Sequence, residues 1–150
     1  MLRLSKMTDY SVVVMGRLAS RPDARQSAAE ISTATGLPAA TVGQVLKALG
    51  AGGLVNGARG AHGGYVLARA PKDISVAEIV TALDGPVAIT ACVDGADDPC
   101  NVQSVCLLRG SWDAVNSAIE AALTDVTLED MLQPLFNFEA SPSATKEARP

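Results

Sequence analysis

Aromatic side chains are scarce, with one Trp, two Tyr and two Phe among 150 residues. A core built from this chain must therefore rest on Val, Leu, Ile and Ala, and the 48% hydrophobic content makes such a core possible. No stretch approaches the roughly 18 apolar residues of a membrane span. The opening MLRLSKMTDYSVVVMGRLAS has neither a long apolar stretch nor a cleavage site. No signal peptide is expected, and the cytoplasm is the expected compartment. There is no nucleophile–base pair and no phosphate loop. The glycine-rich run RGAHGG has no helix to open, as a dinucleotide site would require. An enzyme is the least expected class.

Cysteine is absent from the chain except in one stretch, ACVDGADDPCNVQSVCLLR, residues 91–109. Cys92, Cys100 and Cys106 lie there with seven and then five residues between them, among Gly95, Pro99, Asp94, Asp97 and Asp98. That composition reads as an irregular loop. Three thiols on one loop can converge on a point, as a soft metal centre requires. The spacing lacks the paired CxxC of a zinc ribbon, and an odd number fits a disulfide framework poorly. A metal or iron–sulfur site and a set of ordinary small residues at the mouth of a helix both remain open on spacing alone.

Charge is divided along the chain. The overall net charge is −4. Residues 1–72 nevertheless carry nine Lys/Arg against three acids, a net of +6, and residues 73–150 carry three against thirteen, a net of −10. A basic half and an acidic half suggest one face that meets a polyanion.

The basic half is patterned as helices. Tyr10, Val13, Val14 and Leu18 fall near a 3.6-residue stripe, with Thr8 as the expected N-cap. Pro22 ends that helix. Ser27 with Glu30 forms a capping box for a second helix, Gly36 stops it, and Pro38 suits the first turn of a third running to about Leu49. Two short helices about a glycine-containing turn predict a helix-turn-helix whose second helix reads DNA, although an ordinary helical hairpin has the same pattern. Short strands at Leu54-Val55 and Tyr65–Leu67 then flank ARGAHGG, which predicts a β-hairpin wing. An arginine at a flexible tip can enter the minor groove, and Lys47 and Arg69 can neutralise phosphates. His62, the single histidine, is expected to make a backbone or phosphate contact rather than to ligate metal.

Ser75 is expected to cap a further helix closed by Gly85-Pro86. Leu107–Leu123 shows the longest helical pattern, with Trp112, Val115, Ile119, Ala122 and Leu123 on one side. Following a complete winged domain, that helix most simply packs against its own copy, giving a two-fold dimer with two reading heads for a palindromic site. Thr127–Leu132 predicts one or two more helical turns. The fold class expected is mainly α with a small β-hairpin: a winged helix-turn-helix over 1–85, a cysteine loop over 86–109, a dimerisation helix region over 106–135, and a disordered tail over 136–150.

In this order the elements resemble the Rrf-two family of winged-helix regulators. The matching residues are LSKMTDYSVVVM, AAEISTATGLPAATVGQVLKAL, GLVNGARGAHGGYVLAR, ISVAEIVTALDGPVAIT, the three cysteines, RGSWDAVNSAI and VTLEDM, covering about residues 2–135. LSKMTDY, GPVAIT and the run from Arg109 through Trp112 to Asn116 are most similar to regulators of SUF iron–sulfur assembly. The resemblance implies a cytoplasmic homodimer that binds double-stranded operator DNA and holds an iron–sulfur cluster, [2Fe-2S] or [4Fe-4S], on Cys92, Cys100 and Cys106. It also implies that Arg59 is the wing arginine and that Ala40, Thr41, Gly43 and Gln44 occupy base-contacting positions. Thr41 and Gln44 can hydrogen-bond base edges, whereas Ala40 could meet only a thymine methyl.

Arg109 stands where the IscR branch of the family has a histidine after the third cysteine, and arginine cannot ligate iron. In the NsrR branch an aspartate near the start of the first helix supplies the fourth ligand from the opposite subunit, and Asp9 matches that place. Asp9 equally suits the helix dipole as a first-turn acid. Asp94, Asp97, Asp98 and an exogenous thiol or water stay open. The expected function is an iron–sulfur-sensing repressor of assembly genes. The alternatives are a nitric-oxide or iron-status sensor of the same family and a metal-free thiol switch.

Overall fold

The computed structural model describes residues 2–136, with side chains through Gln133. The tail expected from residue 136 lies almost wholly outside the described residues. Six helices and one two-stranded sheet follow in the order α1, α2, α3, β1, β2, α4, α5, α6.

Ser5, rather than Thr8, caps α1 (Lys6–Ala19): its hydroxyl accepts from Thr8 N at 3.2 Å. Thr8 is one turn inside the helix and nearly buried, with its own hydroxyl donated to Asp84 at 2.8 Å. Both residue types make good caps. The sequence pattern alone does not say that a carboxylate 76 residues away claims the second hydroxyl. The buried stripe of α1 is Thr8, Ser11, Val14, Met15 and Leu18.

Ser27 and Glu30 form the expected capping box on α2 (Ala28–Thr35), and Gly36 ends it in the left-handed region at φ 75°. Pro38 stands immediately before α3 (Ala39–Ala51), which buries Val42, Val45, Leu46 and Leu49. β1 (Val55–Ala58) and β2 (Gly64–Leu67) pair antiparallel, with Val55 opposite Leu67 and Ala58 opposite Gly64. A 3-10 turn, Pro71–Asp73, leads to α4 (Val76–Asp84), capped by Ser75 and Glu78 and closed by Gly85.

The helix expected over Leu107–Leu123 is shorter at its start. Residues 101–112 form successive turns, and α5 spans Asp113–Asp125. Trp112 is its N-cap and donates no capping side chain. The apolar periodicity continues through Leu107 and Leu108, but these are 101% and 71% exposed, so little packing among the described residues holds that turn helical.

α6 (Leu128–Phe136) packs back onto the core formed by α1 and α3. Leu128 and Leu132 are buried in the same core as Val14, Leu46 and Leu54. Leu128 N donates to Ile74 O at 2.8 Å and Val76 N to Val126 O at 2.8 Å, which fastens the end of α5 to the start of α4. Two glycines allow close helix contact. A Cβ on Gly16 would lie 2.9 Å from Leu132 Cδ2, and one on Gly52 would lie 2.8 Å from Ala82 Cβ. The core is aliphatic, as the scarcity of aromatics requires. No helix among the described residues is long and apolar enough to cross a membrane.

Candidate nucleic-acid interface and cysteine loop

α3 divides cleanly into two faces. Val42, Val45, Leu46 and Leu49 fill the core, leaving Ala40, Gly43, Gln44 and Lys47 exposed on the opposite side. Thr41 is half-buried at the boundary. Gly43 meets nothing within 4 Å of where a Cβ would be, so no contact inside the chain requires a glycine there. The exposed face offers one amide, one ammonium and a shallow centre that lets another backbone approach closely.

The wing tip follows β1 directly. Arg59 and His62 are both exposed on a turn in which Gly63 N donates to Gly60 O at 2.9 Å and Gly60 takes φ 103°. A Cβ on Gly63 would lie 2.9 Å from the Arg59 carbonyl carbon, so the turn depends on glycine there. Arg69, expected to meet phosphate, is engaged within the chain. Its guanidinium is paired with Glu78 at 2.6 Å and donates to Asp73 O at 2.8 Å, clamping the exit of the wing to α4. The Ser75 backbone N–H, burial and the Arg69 guanidinium act on the Glu78 carboxyl in that order of size, and the net effect lowers its pKa. Arg69 therefore completes a capping motif of the chain's own.

The cysteine loop hangs between two anchors. At its start, Asp84 Oδ2 accepts from Ser5 N at 3.0 Å and from Thr8 Oγ1 at 2.8 Å. Burial pushes the Asp84 carboxyl up, but the hydrogen bonds from Ser5 and Thr8 outweigh it and leave the group below its ordinary value. At its far side, the buried side chain of Asn116 accepts from Ile89 N at 3.0 Å and donates to Val87 O at 2.9 Å. Asn116, the last residue of the Arg109–Trp112–Asn116 pattern, thus ties GPVAIT to α5. The pattern was visible in the sequence; its partner was not, because backbone acceptors leave no trace there.

All three cysteines are free thiols, Cys92 and Cys100 half-buried and Cys106 exposed. Cys92 Sγ is 3.2 Å from Thr90 Oγ1, and Cys100 N donates to Ala91 O at 3.1 Å, which brings the first two cysteines to neighbouring strands of the loop. Among the described residues, no three His, Cys, Asp or Glu side chains are gathered as a metal-holding group, and Asp9 stands exposed on the first turn of α1. The convergence expected of the loop is therefore not present within this one chain. By chemistry the donor set suits a soft centre, with three unpaired thiols on a segment stitched mainly by short turn bonds.

Comparisons with known proteins agree with this architecture. The family model described as "Rrf2: Iron-dependent Transcriptional regulator" matches residues 4–134. An rrf2-like HTH-type transcriptional regulator of Rhodobacter capsulatus is 35% identical over 107 residues, covering 69% of this chain and 71% of the relative. The HTH-type transcriptional regulator NsrR of Halalkalibacterium halodurans is 28% identical over 132 residues, covering 87% and 90%. The solved structure of T. potens IscR superposes with a TM-score of 0.67 at 30% identity, covering 94% of this chain and 93% of that one. These are DNA-binding transcriptional regulators rather than enzymes, and with residues 4–134 matched this chain belongs to the Rrf2 family of transcriptional regulators.

Proposed function

We propose that the chain is a cytoplasmic, homodimeric repressor that senses an iron–sulfur cluster and controls iron–sulfur assembly genes of the SUF type. The observation that carries this reading is the placement of three free thiols on one loop tied to α1 through Asp84 and to α5 through Asn116. Cys92, Cys100 and Cys106 would hold the cluster, which when bound supplies iron- and oxidant-sensitive thiolate ligation. Asp9 is the candidate fourth ligand from the partner subunit, since Arg109 cannot serve.

The rest is done by the chain's own residues. Gln44, with Thr41 beside it, offers hydrogen bonds to base edges, Ala40 a thymine methyl contact, and Lys47 a phosphate contact. Arg59 reaches into the minor groove, with His62 at the backbone nearby. Arg69 braces the wing through Glu78. Val105, Leu107, Leu108, Trp112 and Val115 are all 44% exposed or more, an apolar run that a second copy would cover. That surface adjoins the loop, so rearranging the thiols changes how two heads are spaced on a palindromic operator.

The same three free thiols on one loop leave one rival, a metal-free switch that works by alternating disulfides. A reporter driven by the chain's own target promoter distinguishes them. Cys92→Ala is expected to abolish the response to iron limitation. A variant regulated by iron like the wild type would overturn the cluster-sensing reading. Nitric oxide replacing iron as the effective signal would move the chain to the sensor role with the same ligands.

A further inference from the structure

The wing is a two-stranded sheet of four residue pairs, a size that is marginal by itself in water. Beside the packing of Val55 and Leu67 on the core, a two-residue segment from elsewhere in the chain braces it. Gln26 N donates to Tyr65 O at 3.1 Å and Tyr65 N to Gln26 O at 2.8 Å, so Gln26 adds a third, one-residue strand beside β2. Beside it, Arg25 Nη1 donates to Gly64 O at 3.2 Å and to Asn56 O at 3.4 Å, one carbonyl on each wing strand. The Gln26 side chain is 2% exposed, and its Nε2 donates to Arg17 O at 3.2 Å in the last turn of α1. The next residue, Ser27, caps α2. Gly64 leaves no slack: at φ 126°, a Cβ there would lie 2.8 Å from the Gln26 backbone.

We propose that Arg25 is a positioning residue for DNA binding: with Gln26 it locks the wing to the helix-turn-helix and so sets where Arg59 reaches. Residues 25–27 touch α1, both wing strands and the start of α2, and Arg59 follows β1 with no residue between. A rotation of the hairpin about its base is amplified at its tip. A minor-groove arginine must be placed within a fraction of an ångström to be effective. A guanidinium suits the bridging role because Nη1 holds its two N–H bonds in one fixed plane, one for each carbonyl, whereas an ammonium on a flexible stem rotates freely. The assignment rests on the proposed role of Arg59. The competing role for an exposed basic residue beside the reading head is a direct phosphate contact.

The test is a double-mutant cycle of Arg25→Ala and Arg59→Ala, read by binding to a duplex selected from random sequence by the wild-type protein, over a range of salt. Positioning predicts that Arg25→Ala weakens binding about 3- to 10-fold, that the loss vanishes in the Arg59→Ala background, and that the salt slope of Arg25→Ala matches the wild type. Arg25→Lys, which keeps the charge and loses the fixed planar pair of N–H donors, is predicted to behave as Arg25→Ala. Equal losses in both backgrounds with a slope reduced by about one would instead make Arg25 a phosphate contact and overturn the proposal. Amide exchange at Tyr65, measured without DNA, is predicted to quicken in Arg25→Ala. Unchanged exchange would also overturn the lock. An Arg59→Ala protein that binds like the wild type would remove the Arg59 reading alone, leaving the Tyr65 result to decide whether Arg25 fixes the wing.

Discussion

The hydroxyl of Thr8 donates to the carboxylate of Asp84 at 2.8 Å, joining the first turn of α1 to the last residue of α4. Ser5 N donates to the same oxygen at 3.0 Å, so one carboxylate closes the N-terminus of α1 just where the cysteine loop begins. Asp84→Ala is predicted to cost about 1 kcal/mol, a charge-assisted pair discounted for its solvent exposure. The pH dependence follows from the direction of the Asp84 shift, which is downward in the folded state. A depressed carboxyl contributes stability above its unfolded pKa, about 4, and loses it as pH falls through the lower folded value. Denaturant midpoints of wild type and variant should therefore differ at pH 7 and converge in strong acid; a difference that persists unchanged at acid pH would contradict the assignment.

Leu132→Ala is predicted to destabilise the chain by about 2–4 kcal/mol. Its side chain is 2% exposed in the core and lies against Gly16. Gly16→Val should be destabilising for the converse reason, since its Cβ would begin 2.9 Å from Leu132 Cδ2. Equilibrium unfolding checks both. Two unaffected midpoints would mean that α6 does not belong to the winged core.

Local signals on the page of the sequence were sufficient for most of this fold. Ser27 with Glu30, Gly36, Ser75 and Gly85 each mark a boundary through contacts within four residues, and each boundary lies where the pattern puts it. The helix-turn-helix and the hairpin follow from them. The failures share a physical cause, a partner distant in sequence. Thr8 has the side chain of a cap, but Asp84, 76 residues on, takes its hydroxyl. Leu107 and Leu108 continue a helical period, but among the described residues both stay largely exposed. Leu128 and Leu132 form a stripe too short to reveal that it faces the winged core. At the site, the sequence shows which side chains are available, whereas the brace of Arg25 on two wing carbonyls depends entirely on backbone acceptors.

Lys47→Ala and Gln44→Ala are predicted to separate on DNA. Both side chains are exposed on the same face of α3. Loss of Lys47 should weaken specific and non-specific duplexes alike and lower the salt slope by about one. Loss of Gln44 should reduce discrimination between base pairs at one position by about 1–3 kcal/mol with the slope unchanged. Titrations at several salt concentrations measure both; identical behaviour of the two variants would refute the orientation of the reading face.

Asn116→Ala is predicted to free the start of the cysteine loop without unfolding the wing. It removes the acceptor for Ile89 N and the donor for Val87 O, two bonds of a buried side chain. The expected cost is about 1–3 kcal/mol. Amide exchange at Ile89 should quicken while that at Ile31, in the core of the reading head, stays protected. Equal quickening at both would show a global rather than a local role.

The central claim is that Cys92, Cys100 and Cys106 together hold an iron–sulfur cluster. Its most direct test is the visible absorption and the iron and sulfide content of protein purified without oxygen, wild type beside the three single cysteine-to-alanine variants and Asp9→Ala. The account predicts thiolate-to-iron charge-transfer absorption with matching iron and sulfide in the wild type, and its loss in each cysteine variant. It also predicts a shifted spectrum or faster iron loss in Asp9→Ala. A colourless wild type free of iron and sulfide would contradict the claim and leave a DNA-binding regulator whose thiols act without metal.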